Sequence, residues 1–154
     1  MAGYGFWLTG LLFVVLIGFV VCKEQRPQSL ALWLEMKSEV RASEMVPLKL
    51  KVKNKSDSTV TLALGGNLPY DFVVTDSGGK EVWRWLEGKV IEAFLAHRPL
   101  NPGEELEFVG EWNQLDRYGK RVLTGIYFVR GLLVTEPPQK LETEPKRLVI
   151  LPSL

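Results

Sequence analysis

Three lysines alternating with three aliphatic residues constrain this chain more than any other feature. Leu48, Leu50 and Val52 interleave with Lys49, Lys51 and Lys53. Successive side chains of a strand point to opposite faces, so a strict period of two makes one face apolar and the other charged. Wound as a helix, the same residues would scatter both kinds around the axis. The segment predicts a half-buried strand in a sheet solvated on one side.

The period of two recurs almost everywhere after residue 29. Leu30, Leu32 and Leu34 alternate with Ala31, Trp33 and Glu35. Asn54-Lys55-Ser56-Asp57-Ser58 reads as a turn, after which Val60, Leu62 and Leu64 resume the alternation. These two runs predict a hairpin. Gly65-Gly66-Asn67-Leu68-Pro69 breaks the pattern, and residues 70–75 form the next strand. Asp76-Ser77-Gly78-Gly79-Lys80 supplies a hairpin loop back into residues 81–85. Residues 90–96 read as a strand, with a helical turn over 91–95 as the alternative. Pro99 to Glu104 is turn chemistry, Leu106, Phe108 and Gly110 lead a strand to Trp112, and residues 113–121 are a polar loop. Residues 124–133 are strongly strand-forming, and Gly125-Ile126-Tyr127 suits a corner tyrosine bonded to backbone upstream. After Glu136-Pro137-Pro138 comes a last strand over 147–151, stopped by Pro152. About nine short strands with turn signals every ~8–12 residues predict an all-β chain. The expected architecture is an immunoglobulin-like antiparallel β-sandwich of about 7–9 strands, one domain over residues 30–154.

The first 22 residues contain no charged side chain, and residues 6–21 are almost wholly apolar. At ~1.5 Å per residue such a stretch spans the ~30 Å core of a bilayer. The expectation is one N-terminal transmembrane helix over residues 1–22 acting as a membrane anchor or uncleaved signal segment, then a linker over 23–29. A cleaved signal peptide and a lipoprotein acylated at Cys22 are the alternatives; Val20-Val21-Cys22 is a poor small-residue cleavage site. Lys23, Arg26, Lys37 and Arg41 follow the segment and no Lys or Arg precedes it. The positive-inside rule thus leans a single-pass protein toward a cytoplasmic domain, with the side unresolved.

Composition narrows the chemistry. Nineteen Lys and Arg against 18 Asp and Glu give a net charge of +1, which steers no nucleic acid. One Cys allows no intrachain disulfide, and one His with one Cys gives no metal-ligand cluster. His97 has no nucleophile motif nearby and reads as a loop residue. Glu104, Glu105 and Glu107 read as a solvated strand face rather than a carboxylate pair for acid–base work. Asn54-Lys55-Ser56 fits the glycosylation pattern, which chance supplies often. No catalytic, cofactor or metal residue is assigned, and the chain is expected not to be an enzyme.

Trp83-Arg84-Trp85 is the most informative triplet. In a strand, Trp83 and Trp85 share one face and Arg84 takes the other. Either both indoles plug the core, or one sits at an edge and anchors a partner, as Trp and Arg do at binding hot spots. The Lys49, Lys51 and Lys53 stripe is a soluble outer face or, in the sharper reading, an attraction for anionic lipid.

The run from Tyr70 to Trp85, an aromatic strand ending in Asp76, then glycine, then Val82-Trp83-Arg84-Trp85, resembles the BsuPI family of Bacillus-type intracellular proteinase inhibitor domains. Leu100-Asn101-Pro102-Gly103-Glu104, the strand from Phe108 to Trp112, Gly125-Ile126-Tyr127 and Gly131 follow in that family's order. The resemblance implies a β-sandwich that binds a protein partner, a subtilisin-like serine protease, with no cofactor. The alternative is a non-inhibitory interaction or scaffolding domain of a membrane or envelope complex. Candidate partner-binding residues are Trp83, Arg84, Trp85, Leu86, Asn67 and Leu68, and the candidate loops to occupy a protease cleft are residues 65–70 and 86–89.

Overall fold

Alternation becomes layers. The structure, a computed structural model, describes residues 29–154. Its strands are β1 (Leu30–Glu35), β2 (Glu39–Arg41), β3 (Val46–Asn54), β4 (Val60–Gly65), β5 (Tyr70–Asp76) and β6 (Glu81–Arg84). They continue with β7 (Leu95–Leu100), β8 (Glu105–Trp112), β9 (Gly125–Leu133), β10 (Leu141–Glu142) and β11 (Lys146–Leu151). One sheet has the order β1-β3-β8, and a second has β2-β11-β9-β5-β6 with β10 beside β9. β4 and β7 pair separately as a two-stranded ribbon. The described residues form an all-β sandwich without a helix.

β3 shows why the sequence folds this way. Val46, Leu48, Leu50 and Val52 are buried, while the lysines between them face out. They meet Phe72 and Val74 of β5, Val129 of β9 and Leu148 and Ile150 of β11 in one core. Burying a Leu, Val or Phe side chain contributes roughly 1.5–3 kcal/mol, so this shared interior dominates stability. The outward lysines are neutralised across the strands. Lys49 pairs with Glu107 at 2.9 Å, Lys51 with Glu35 at 3.1 Å and Lys53 with Glu105 at 3.0 Å. With its charges matched, this face has little field left to attract anionic lipid. Tyr127 donates to the Leu123 carbonyl at 2.8 Å, the corner tyrosine expected from its sequence context.

Four expectations are corrected. β3 and β4 are not a hairpin: β3 pairs with β1 and β8, and β4 with β7. Asn54 redirects the chain. It is fully buried, and its amide donates to the carbonyls of Ser58 at 2.7 Å and Leu100 at 2.8 Å. That moors the turn to β7 and leaves the Asn54 amide inaccessible to glycosylation. The strand expected over 90–96 instead starts at Leu95 and runs to Leu100, so His97 lies on a strand rather than a loop. Its ladder with β4 stops at the Gly65–Leu95 pair, because Gly66 takes φ +76° and turns β4 away. Not every pair is antiparallel, since β2 runs parallel to β11. Eleven strands are present among the described residues rather than about nine. The additions, β2 and β10, have three and two residues, too short for alternation to register.

The expected membrane span lies outside the described residues, as does the linker up to its last residue, Ser29. Among the described residues no helix is long and apolar enough to cross a membrane.

Candidate functional site

The tryptophan triplet splits by face as a strand requires, although β6 ends at Arg84 and Trp85 begins a turn. Trp83 and Trp85 both pack on the core, with ring centroids 6.3 Å apart. Trp83 continues to Trp112 at 6.0 Å, and Trp112 to Tyr127 at 5.9 Å. Trp85 stacks toward Tyr70 at 6.5 Å, and Tyr70 on Phe108 at 5.0 Å. These edge and stacked pairs form an aromatic row through the sandwich, each worth ~0.5–1.5 kcal/mol beyond burial.

Arg84, on the other face, joins three carboxylate contacts. It donates to Asp71 at 2.6 Å and to both oxygens of Glu81 at 3.2 and 2.9 Å. Asp71 is nearly fully buried on β5, and its second oxygen accepts the Leu86 N–H at 3.0 Å. Burial pushes the Asp71 carboxyl above the ordinary Asp value, although the Leu86 N–H and Arg84 both favour its charged form. The Glu81 carboxyl is held low, chiefly by its hydrogen bonds from Arg84. The carboxylates hold Arg84 firmly protonated, the Glu81 hydrogen bonds foremost.

This cluster roots the next segment. Leu86 is half-buried on Asp71, and the turn after it closes through Glu87 N–H to Arg84 at 3.2 Å and Lys89 N–H to Leu86 at 3.1 Å. Gly88 supplies the positive φ of +75° that this turn needs. Residues 87–95 then form nine consecutive exposed positions, the longest such run among the described residues. Val90, Ile91, Phe94 and Leu95 are four of the ten exposed large apolar residues among those described.

The run is exposed but tied down. Lys89 Nζ sits 3.8 Å over the Trp85 ring. Glu92 donates its N–H to Asn67 Oδ1 at 3.1 Å, and Gly66 donates its own to the Phe94 carbonyl at 2.8 Å. Gly66 is required twice over. Its φ is positive, and an added Cβ would meet Ile91 Cγ2 at 2.8 Å and the Glu92 carbonyl at 2.9 Å. The loop singled out around Asn67 is therefore fastened to residues 91–94, whereas the loop at Leu86 is rooted on Asp71 and starts the segment that leads there. Leu68, beside Asn67, is half-buried. The stretch from Val90 to Leu95 extends that site. Its signal in the sequence is a nearly unbroken apolar run without alternation, starting just past a glycine.

A second exposed turn differs in kind. Asp116 and Lys120 close a loop in which Asp116 Oδ1 accepts from Tyr118 and Lys120 N–H at 2.9 Å each. Asp76 and Lys80 repeat it, with Asp76 Oδ1 accepting from Gly78 and Lys80. Both turns consume their own backbone groups. Among the described residues no group of three or more His, Cys, Asp or Glu could hold a metal.

A sequence model of the BsuPI family, described as intracellular proteinase inhibitor, matches residues 34–138. No curated protein matches the chain. A β-glucosidase from Listeria innocua is similar in shape with a TM-score of 0.45 at 15% identity, over 80% of this chain and 16% of that one. An alkylpurine DNA glycosylase from Pseudomonas fluorescens gives 0.46 at 13%, over 80% and 30%. The CARDB domain of a Pyrococcus furiosus protein gives 0.43 at 13%, over 80% and 94%. The chain thus spans a small part of both enzymes, and likenesses this low carry nothing about activity.

Proposed function

Because this chain belongs to the BsuPI family of intracellular proteinase inhibitors, we propose that it blocks a serine protease of the subtilisin type by occupying its cleft. It acts by binding rather than by catalysis. The uncharged residues 1–22 tether it to a membrane, and the Lys and Arg that follow favour the cytoplasmic side. The immunoglobulin-like character of the sandwich is supported by the corner tyrosine, Tyr127.

One observation carries the inhibitor reading: the nine exposed residues over 87–95 are fastened to the sandwich at several points. An inhibitor must offer a protease something substrate-like that is already ordered. Immobilising a side chain on binding costs ~0.5–1.5 kcal/mol, and a segment held in place beforehand avoids much of that.

The test is residual subtilisin activity against the full chain in detergent micelles. Activity should fall to background at a modest molar excess. Undiminished activity would overturn the inhibitor reading in favour of a non-inhibitory interaction or scaffolding domain. Retention of the chain in membranes through alkaline carbonate extraction is the outcome expected of the tether; full release contradicts it.

A further inference from the structure

We infer that the Val90–Ile91 peptide bond is the one presented to the protease, with Val90 in its primary specificity pocket and Asn67 as the positioning residue behind it. This rests on the inhibitor reading and adds the point of contact. Val90 is the most exposed large side chain of the segment, at 84%. The fastenings lie on both sides of its peptide bond. Lys89 is held by the Trp85 ring before it. After it, Ile91 Cγ2 lies against Gly66, and the Glu92 N–H is taken by Asn67. The matching partner is a protease whose primary pocket accepts a branched aliphatic residue.

Proteases take their substrates as an added strand, through main-chain hydrogen bonds. Val90, Ile91 and Ala93 lie beyond the end of the β4–β7 ladder and have no strand partner. Among the described residues β7 pairs with β4 alone, so its free edge continues into Leu95 and Ala96. The rival surface, Tyr118, is 79% exposed, but it rides on the turn closed by Asp116 and cannot extend into a cleft.

The fastenings also account for slow turnover. The protease serine hydroxyl adds to the Val90 carbonyl, and the Ile91 nitrogen leaves as an amine after taking a proton from the protease. In an ordinary substrate that amine diffuses away. Here Asn67 holds the next residue, so the amine stays beside the ester. It attacks the Val90 carbonyl, expels the serine oxygen, returns the proton and restores the amide. Hydrolysis needs water to arrive first.

Prolonged incubation of the full chain with subtilisin, read by intact mass and fragment sequencing, tests this directly. The expected result is one slow cut between Val90 and Ile91. Asn67→Ala should speed net cleavage about tenfold, equivalent to ~1.4 kcal/mol, with thermal stability unchanged. Asn67→Asp, which keeps the acceptor oxygen, should restore the slow rate. A first cut elsewhere, or an Asn67→Ala rate equal to wild type, overturns the assignment. Inhibition that survives Val90→Asp also overturns it while leaving the inhibitor reading intact. Rapid cleavage at Val90–Ile91 with undiminished protease activity overturns the inhibitor reading and the slow-turnover account, and leaves only Val90–Ile91 as the bond presented.

Discussion

Gly110 on β8 and Gly131 on β9 each face a side chain of the opposite sheet. A Cβ on Gly110 would fall 2.8 Å from Phe72 Cε2 and 3.3 Å from Trp85 Cδ2. Phe72 is wedged edge-on against Tyr70 at 5.8 Å and Trp85 at 6.4 Å, so these rings have little room to give. A Cβ on Gly131 would meet Leu50 Cδ1 at 3.0 Å, the far end of a flexible side chain, and Cβ at 3.3 Å. Overpacking a filled core costs roughly 1–3 kcal/mol. Gly110→Ala should lie near the top of that range and Gly131→Ala near the bottom, measured as shifts in urea midpoint. Equal small losses would mean the sheets are not in contact at Gly110. The alternation placed Gly110 on the inward face but gave no reason for its missing side chain, since the ring that fills the space lies 38 residues earlier in the chain. Asn54 was hidden in the same way. It reads as a turn residue, and only the buried carbonyl of Leu100 explains why its amide is needed.

Among the elements, β5 and β6 are joined by more than their ladder. Arg84 spans from β6 to the buried Asp71 on β5, and the Asp71–Leu86 bond fixes where the exposed segment begins. Arg84→Met leaves a buried carboxylate without its cation. Losing one partner of a fully buried pair costs about 3–5 kcal/mol. Arg84 is partly exposed, so ~1–2 kcal/mol at neutral pH is the expected loss. The pH dependence has a definite sign. Burial already raises Asp71 in the fold, so the folded state binds that proton more tightly than the unfolded chain does. Removing Arg84 raises Asp71 further. The variant's deficit relative to wild type should therefore shrink as pH falls toward the ordinary Asp range and the carboxyl protonates. Glu81 adds in the same direction. Its depressed value stabilises the wild type above the ordinary Glu range, and that contribution is lost on acidification. Chemical denaturation at several pH values reads both; a deficit that grows on acidification contradicts the account. The strands themselves were legible because a period of two survives in any half-buried strand. Their partners were not, because β3 carries the same pattern whether it pairs with β4 or with β8.

At the scale of the molecule, the loop at Gly66 and Asn67 fastens the exposed segment at residues 91–94 to the sandwich. Composition, the strand rhythm and the Tyr70-to-Leu133 motifs were enough for the fold class and the family. The loops around Asn67 and Leu86 were legible as breaks in the rhythm. The apolar run after them was not, because Val90 to Leu95 has the composition of a strand. Residues 90–94 stay outside because the ladder ends at the Gly65–Leu95 pair, where Gly66 turns β4 away. The central claim is that this run is the surface a protease grips. Hydrogen–deuterium exchange of the full chain in micelles, with and without subtilisin whose active-site serine is replaced by alanine, tests it most directly. Slowed exchange should concentrate in residues 65–69 and 87–95. Protection confined to residues 113–123, or to the outer face of β3 and β8, would contradict it.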